Sequence, residues 1–196
     1  TDQGTTYRNF ATDKNGTAII VGSDGKYWRT GNFAVSWTQF VLDDASRENY
    51  SVATDFQGNW VIGRYSRNGT RRAHYSNDNG VSWNLATNLM NLPNQSTSDS
   101  YFQAWGYNGQ LFIRTSSSYR TFLSEDGGIT WTDITGDLPH SGYITGGTSQ
   151  SHSVNEITGR WIEGGDSGKS IKSGDAPVIG STFSVRTLTG AGLGTN

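Results

Sequence analysis

A unit of about fifty residues recurs along this chain, and such a period restricts the fold more than any other property of a sequence. Ser76-Asn77-Asp78-Asn79-Gly80-Val81-Ser82-Trp83 and Ser124-Glu125-Asp126-Gly127-Gly128-Ile129-Thr130-Trp131 both read S-x-D-x-G-x-[ST]-W. A worn copy, Thr30-Gly31-Asn32-Phe33-Ala34-Val35-Ser36-Trp37, lies upstream. A fourth begins Ser173-Gly174-Asp175 and, after three extra residues, resumes at Gly180-Ser181-Thr182-Phe183. The aspartate positions 32, 78, 126 and 175 are separated by 46, 48 and 49 residues, a spacing too even for chance.

A second landmark keeps the same beat. Asn15-Gly16, Gln57-Gly58, Asn108-Gly109 and Thr158-Gly159 each precede a short apolar run: Ala18-Ile19-Ile20-Val21, Trp60-Val61-Ile62, Leu111-Phe112-Ile113 and Trp161-Ile162. Asn-Gly between apolar runs signals a hairpin, since both turn residues take positive φ. Five residues before each glycine stands a small or β-branched residue, Ala11, Ala53, Ala104 or Val154, which suits a crowded innermost strand. Each unit therefore reads as four antiparallel strands. In the second they are predicted at 50–55, 59–65, 70–76 and 82–87, with the aspartate motif turning the third into the fourth. Segments 41–49, 88–100 and 136–150 link the units. No sustained helical period appears, so no helix longer than a turn is expected.

Four-stranded units of roughly 40 to 50 residues are the β-propeller pattern, which leaves only short, protected edges. The sequence thus predicts one all-β domain over 1–196, with repeats near 5–43, 50–92, 100–139 and 150–190. One closed four-bladed ring is the simplest count. A partial, larger propeller needs further chain or self-association. The only methionine is Met90, so the chain lacks its own initiator: either it was trimmed before Thr1 or the chain is a piece of something longer.

Composition agrees. Apolar residues make up 33% of the chain and aromatics 12%, with 26 glycines, so aromatics must carry much of the burial. That excludes a large helical core. A net charge of −2 gives no electrostatic reason to expect nucleic acid. No apolar stretch is long enough to insert in a membrane as a helix. Cysteine is absent, which excludes disulfides and thiolate metal sites.

The motifs at 76–83 and 124–131 resemble Asp-box (BNR) repeats, found in sialidases, sortilin-type receptors, photosystem II assembly factors, glycan-binding propellers and phage structural proteins. The resemblance implies a propeller but no single activity, because unrelated functions share the motif. Physically, Asp78 and Asp126 accept hydrogen bonds from amides of their own turns, Gly80 and Gly128 permit positive φ, and Trp83 and Trp131 pack between sheets. Asn32, Trp37 and Asp175 hold the matching places in the outer copies. These residues staple a blade; none is expected to be catalytic.

A sialidase resemblance would imply an arginine triad on a substrate carboxylate. Arg64 and Arg114 follow the second strands of successive units and could face one end of the ring, but no Arg-Ile-Pro signature occurs. His74, His140 and His152 form no metal-ligand spacing. No catalytic residue, metal or cofactor is therefore expected. The ligand-binding candidates are Arg64, Arg114, Tyr65, Tyr107 and Tyr119. The expected role is a non-enzymatic binding or assembly module on a virion or an extracellular surface, partnered by protein or by itself. A glycan-binding lectin and a sialidase-like hydrolase are the alternatives.

Overall fold

The computed structural model describes residues 5–42, 48–65, 73–90, 102–115, 120–134, 151–154, 161–164 and 171–174, the last three by backbone alone. β1 (Tyr7–Thr12), β2 (Ala18–Gly22), β3 (Lys26–Thr30) and β4 (Thr38–Val41) form one antiparallel sheet in chain order, blade 1. Blade 2 repeats this with β5 (Glu48–Thr54), β6 (Trp60–Tyr65), β7 (Ala73–Ser76) and β8 (Asn84–Leu85). A single helical turn, α1 (Thr87–Met90), follows it. Blade 3 contains β9 (Phe102–Tyr107), β10 (Gln110–Thr115), β11 (Thr121–Ser124) and β12 (Thr132–Asp133). β13 (Ser151–Val154), β14 (Trp161–Gly164) and β15 (Ile171–Gly174) make three strands of blade 4. The fourth strand expected near Phe183 lies outside the described residues.

Strand alternation explains why the sheets stack. Side chains point to opposite faces of a strand at every second residue, so a run that is apolar at every position must be covered on both sides. In β6, Trp60 and Ile62 enter the core shared with Ile19, Val21, Tyr27 and Leu42 of blade 1. Val61, between them, enters the core shared with Phe102, Leu111, Ile113 and Phe122 of blade 3. Blade 3 presents Phe112, Leu123, Ile134 and Trp105 on its other face, where Trp105 stacks on Phe112 with ring centroids 5.3 Å apart. The innermost strands stand in file: β1 beside β5, β5 beside β9, β9 beside β13. This is the radial order of a β-propeller.

Of the two counts the sequence allowed, the described strands make an arc rather than a closed ring. β13 does not lie against β1 as the other innermost strands lie against one another. Among the described residues no sheet covers the face of blade 1 that points away from blade 2, and Tyr7 and Phe10 on β1 are exposed.

Hairpin chemistry departs from the sequence reading in one respect. Asn108 and Gly109 both have positive φ, as a two-residue Asn-Gly turn requires. Asn15-Gly16 and Gln57-Gly58 instead sit in three-residue loops anchored by an aspartate. Asp13 Oδ1 accepts the amides of Asn15 and Thr17, both at 2.8 Å. Asp55 Oδ1 accepts those of Gln57 and Asn59, at 2.8 and 3.1 Å. A buried aspartate two residues before each loop amide was the signal, and the Asn-Gly pattern masked it.

Small residues do line the inner strands, and Gly106 is the extreme case. A Cβ there would overlap the carbonyl oxygen of Thr54 on β5, which is backbone and cannot swing aside. Gly106→Ala is therefore expected to push β9 off β5 and to cost about 1–3 kcal/mol, the usual range for overpacking. Urea unfolding checks this through a lowered midpoint with unchanged slope.

Candidate functional site

The four-residue turns at the blade rims show how sequence fixes local geometry. In blade 2, Asp78 Oδ1 accepts the amides of Val81 (3.1 Å) and Ser82 (2.9 Å), and Oδ2 accepts the Ser82 hydroxyl (2.6 Å). Ser76 Oγ donates to Asp78 Oδ1 at 2.7 Å and accepts the Gly80 amide at 2.9 Å. In blade 3, Asp126 accepts the Thr130 amide and hydroxyl at 2.9 and 2.5 Å, and Ser124 Oγ accepts the Gly128 amide at 2.8 Å. Asn32 does the equivalent work in blade 1: Oδ1 accepts the Ser36 amide (3.1 Å) and Nδ2 donates to Ser36 Oγ (2.9 Å). Each turn places two successive residues at positive φ: Asn79-Gly80, Gly127-Gly128 and, without glycine, Phe33-Ala34.

These turns also join neighbouring blades. Arg29 Nε of blade 1 donates to the Asn79 carbonyl of blade 2 at 2.6 Å. Asn77 Nδ2 of blade 2 donates to the Gly127 carbonyl of blade 3 at 2.9 Å. Gly128 lies so close to blade 2 that a Cβ would come within 2.5 Å of Tyr75 Cβ.

The tryptophans after the turns share a register but not an environment. Trp131 is buried between blades 2 and 3, its Nε1 donating to the Gly128 carbonyl at 2.9 Å. Trp83 is half-buried at the edge of the core between blades 1 and 2. Trp37 is exposed, and among the described residues no sheet lies against that side of blade 1.

A crevice of about 440 Å³ opens beside Trp83, lined by Tyr27, Val41, Leu42, His74, Val81, Ser82, Trp83 and Leu85. Its volume is within the range of small-ligand pockets. β3 supplies Tyr27, whose ring stacks on Phe40 of β4 (5.0 Å, 15°) and meets Trp83 edge-on (5.7 Å, 71°). β7 supplies His74, buried in the floor and paired in register with Leu85 of β8. Val81 and Ser82 form the exposed rim. The corresponding space between blades 2 and 3 is filled: Phe122 holds the register place of His74, and α1 inserts Leu89 there beside Ala86. An imidazole in place of a phenyl ring thus accompanies the opening.

Burial pushes the Tyr27 phenol above its ordinary value, so it remains a neutral donor near pH 7. Burial also acts to raise Asp78, but hydrogen bonds from Ser82, Ser76 and the Val81 amide outweigh it and hold the carboxyl at about 2. A carboxylate so depressed is a weak general base. Asp126 is lowered in the same way, by Thr130 and Ser124. Among the described residues, no three histidine, aspartate or glutamate side chains are grouped to hold a metal ion. Nor is any described helix long and apolar enough to cross a membrane.

The binding residues proposed from sequence do not converge. Arg64 and Arg114 are both buried, yet they project to opposite sides of their blades. Arg64 shares the face of Trp60 and Ile62, toward blade 1; Arg114 shares that of Phe112, away from blade 2. Arg64 stands four residues after Trp60 and so shares its face, whereas Arg114 stands only three after Leu111, which holds the place of Trp60 in β10, and so takes the opposite face. Tyr65 ends β6, whereas Tyr107 enters the β9–β10 turn at the opposite end of the sheets. Tyr119 and Asp175 lie outside the described residues. Of the crevice residues, the sequence marked Trp83 only as a staple. His74 was visible only as an isolated histidine; its departure from an apolar register position was the available signal.

Stacked four-stranded sheets with rim turns of this kind define a β-propeller. No family model matches the sequence, and no curated protein matches it. Solved structures do. The chain is similar to YCF48 bound to D1 peptide, at 15% identity and a TM-score of 0.61, over 95% of this chain and 56% of that one. It is similar to the GH74 enzyme of Niastella koreensis, at 14% identity and a TM-score of 0.59, over 91% of this chain and 24% of that one. It also matches a chain of the nidogen/laminin complex, at 9% identity and a TM-score of 0.62, over 90% of this chain and 63% of that one. At these identities the likeness is one of fold, and the chain spans little more than half of the YCF48 chain.

The carboxylate turns make stability depend on pH. Asp78 titrates near 2 in the folded chain against 3.8 ordinarily, so its contribution is complete above about pH 4–5 and is lost as pH falls through about 2. Asp78→Asn is expected to lower the melting temperature at pH 7, with the gap to the parent chain narrowing steadily below pH 4. Melting curves from pH 7 to 2 check it; a gap independent of pH would show that the charge is not what the turn uses.

Proposed function

We propose that this chain is a non-enzymatic propeller module that binds a protein partner, with its serine–aspartate turns acting as Asp-boxes. The crevice between blades 1 and 2 receives an apolar or aromatic side chain of that partner. One observation carries the reading: Tyr27, Leu42, Trp83 and Leu85 wall the crevice beside the polar groups of His74 and Ser82, and the carboxylate of Asp78 next to it is already committed to its own turn. A mixed aromatic and polar crevice without a free carboxylate base suits anchoring of a side chain better than bond cleavage. YCF48 bound to D1 peptide and the nidogen/laminin complex are propellers seen with protein partners, which supports the same reading.

Glycan binding is the second reading. It draws on Tyr27, Trp83 and His74 meeting in one crevice, where aromatic faces can cover a sugar ring and an imidazole can meet its hydroxyls. A sialidase-like hydrolase is weakened by the divergence of Arg64 and Arg114 into separate blade interfaces.

Peptides selected from a displayed random library against the immobilised chain are expected to share an aromatic or branched apolar anchor. Trp83→Ala should weaken them at least about tenfold, as loss of a buried aromatic anchor does, whereas Phe33→Ala on a distant rim turn should not. Equal binding to the Trp83 variant would dismiss the crevice as the site. Binding of glycans but no peptide, or turnover of xyloglucan or sialosides, would dismiss the protein-partner reading.

A further inference from the structure

The slot between blades 2 and 3 is plugged by the chain's own α1, and that plug shows what the open crevice between blades 1 and 2 is shaped to take. Thr87 and Asn88 of α1 are exposed, whereas Leu89 is buried in the core that holds Ala86, Phe122 and Trp131. Asn88 Oδ1 accepts the Trp131 amide at 3.4 Å. The turn is thus docked by two consecutive residues, one hydrogen-bond acceptor and one leucine. Successive side chains on a helix diverge by roughly 100°, which lets the first meet a backbone amide at the rim while the second goes inward.

The crevice repeats one wall of that slot. Trp83, Ser82 and His74 hold the places of Trp131, Thr130 and Phe122. The Trp83 amide, counterpart of the one that Asn88 meets, has no acceptor among the described residues. The other wall differs. Tyr27 stands where blade 2 has Ala73, and its ring lies back on Phe40 with the crevice open beside it.

We infer that the crevice takes a helical turn of the partner in which a hydrogen-bond acceptor is followed at once by leucine, a foreign counterpart of α1. This rests on the protein-partner reading and narrows it: an aliphatic side chain enters rather than a ring, and the Trp83 amide receives the acceptor. Tyr27 and Trp83 already supply two rings to the crevice, and a leucine packs among them as Leu89 does with Phe122 and Trp131. Amphipathic helical segments that lay apolar anchors into a groove are a common mode of peptide recognition. His74 is then a replaceable part of the floor, because Leu89 shares its core with a phenyl ring at the equivalent place.

The probe is a stapled peptide copying residues 86–91, with the staple in place of Ala86 and Met90 and with Asn88 and Leu89 kept. Added to the isotopically labelled chain, it is expected to move the NMR signals of the Trp83 amide and the His74 ring and to leave those of Trp131 and Phe122 in place. Leu89→Ala in the peptide should weaken binding at least about tenfold, as loss of most of a buried aliphatic side chain does. Asn88→Ala in the peptide should weaken it about two- to tenfold, the worth of one hydrogen bond. The His74→Phe chain should bind the peptide at least as tightly as the parent.

Signals that stay fixed at millimolar peptide, movement confined to Trp131 and Phe122, or equal binding of the Leu89→Ala peptide would each overturn the inference. So would library peptides that carry an aromatic anchor and are weakened by Trp83→Ala, although those would leave the protein-partner reading standing. Peptide binding indifferent to Trp83→Ala would remove both.

Discussion

A four-stranded sheet that is apolar on both faces cannot remain in water alone, and every other feature of this chain follows from that constraint. β6 shows it most plainly: Trp60, Val61 and Ile62 are consecutive, all inaccessible to solvent, and divided between two different cores. Each sheet is at once the lid of one core and the floor of the next. Stability is then a sum over neighbours, as in other repeat architectures, and a sheet at an end has only half its share.

Polar side chains at the rim set the angle at which sheets meet, so the core does not have to. Arg29 and Asn77 each donate to a left-handed carbonyl of the following turn, the same contact made by two different residue types. The cores between can then differ, aromatic and open beside His74, tightly filled beside Phe122 and Leu89. That freedom is what lets a shared architecture carry a crevice in one position and none in the next.

The fold was legible because its period and its turns are written in local chemistry. Aspartate, serine and glycine at fixed offsets demand a specific backbone path, and the strands between them alternate in ways a reader can follow. Asp13 and Asp55 escaped notice because they cap loops whose Asn-Gly or Gln-Gly pairs already explained a turn. The site was less legible for a different reason. Which face a side chain takes depends on counting along its own strand, and Arg64 stands four residues after Trp60 whereas Arg114 stands three after Leu111, its counterpart in β10. Their parallel positions in the sequence became opposite directions in space. Tyr107 and Tyr65 likewise looked alike as aromatics near glycine or arginine, yet they lie at opposite ends of their sheets. The open count of blades had no local signature at all, since it depends on what stands beside β1.

Phe33 and Ala34 occupy two successive left-handed positions without the freedom of glycine. Such backbone costs of order 1–2 kcal/mol per residue, and here it falls in the blade whose outward face no described sheet covers. Blade 1 is for that reason expected to open before blades 2 and 3, which are covered on both faces. Amide hydrogens of β1 and β2 will exchange through small openings that leave β9 and β10 shut, giving the molecule a direction of melting.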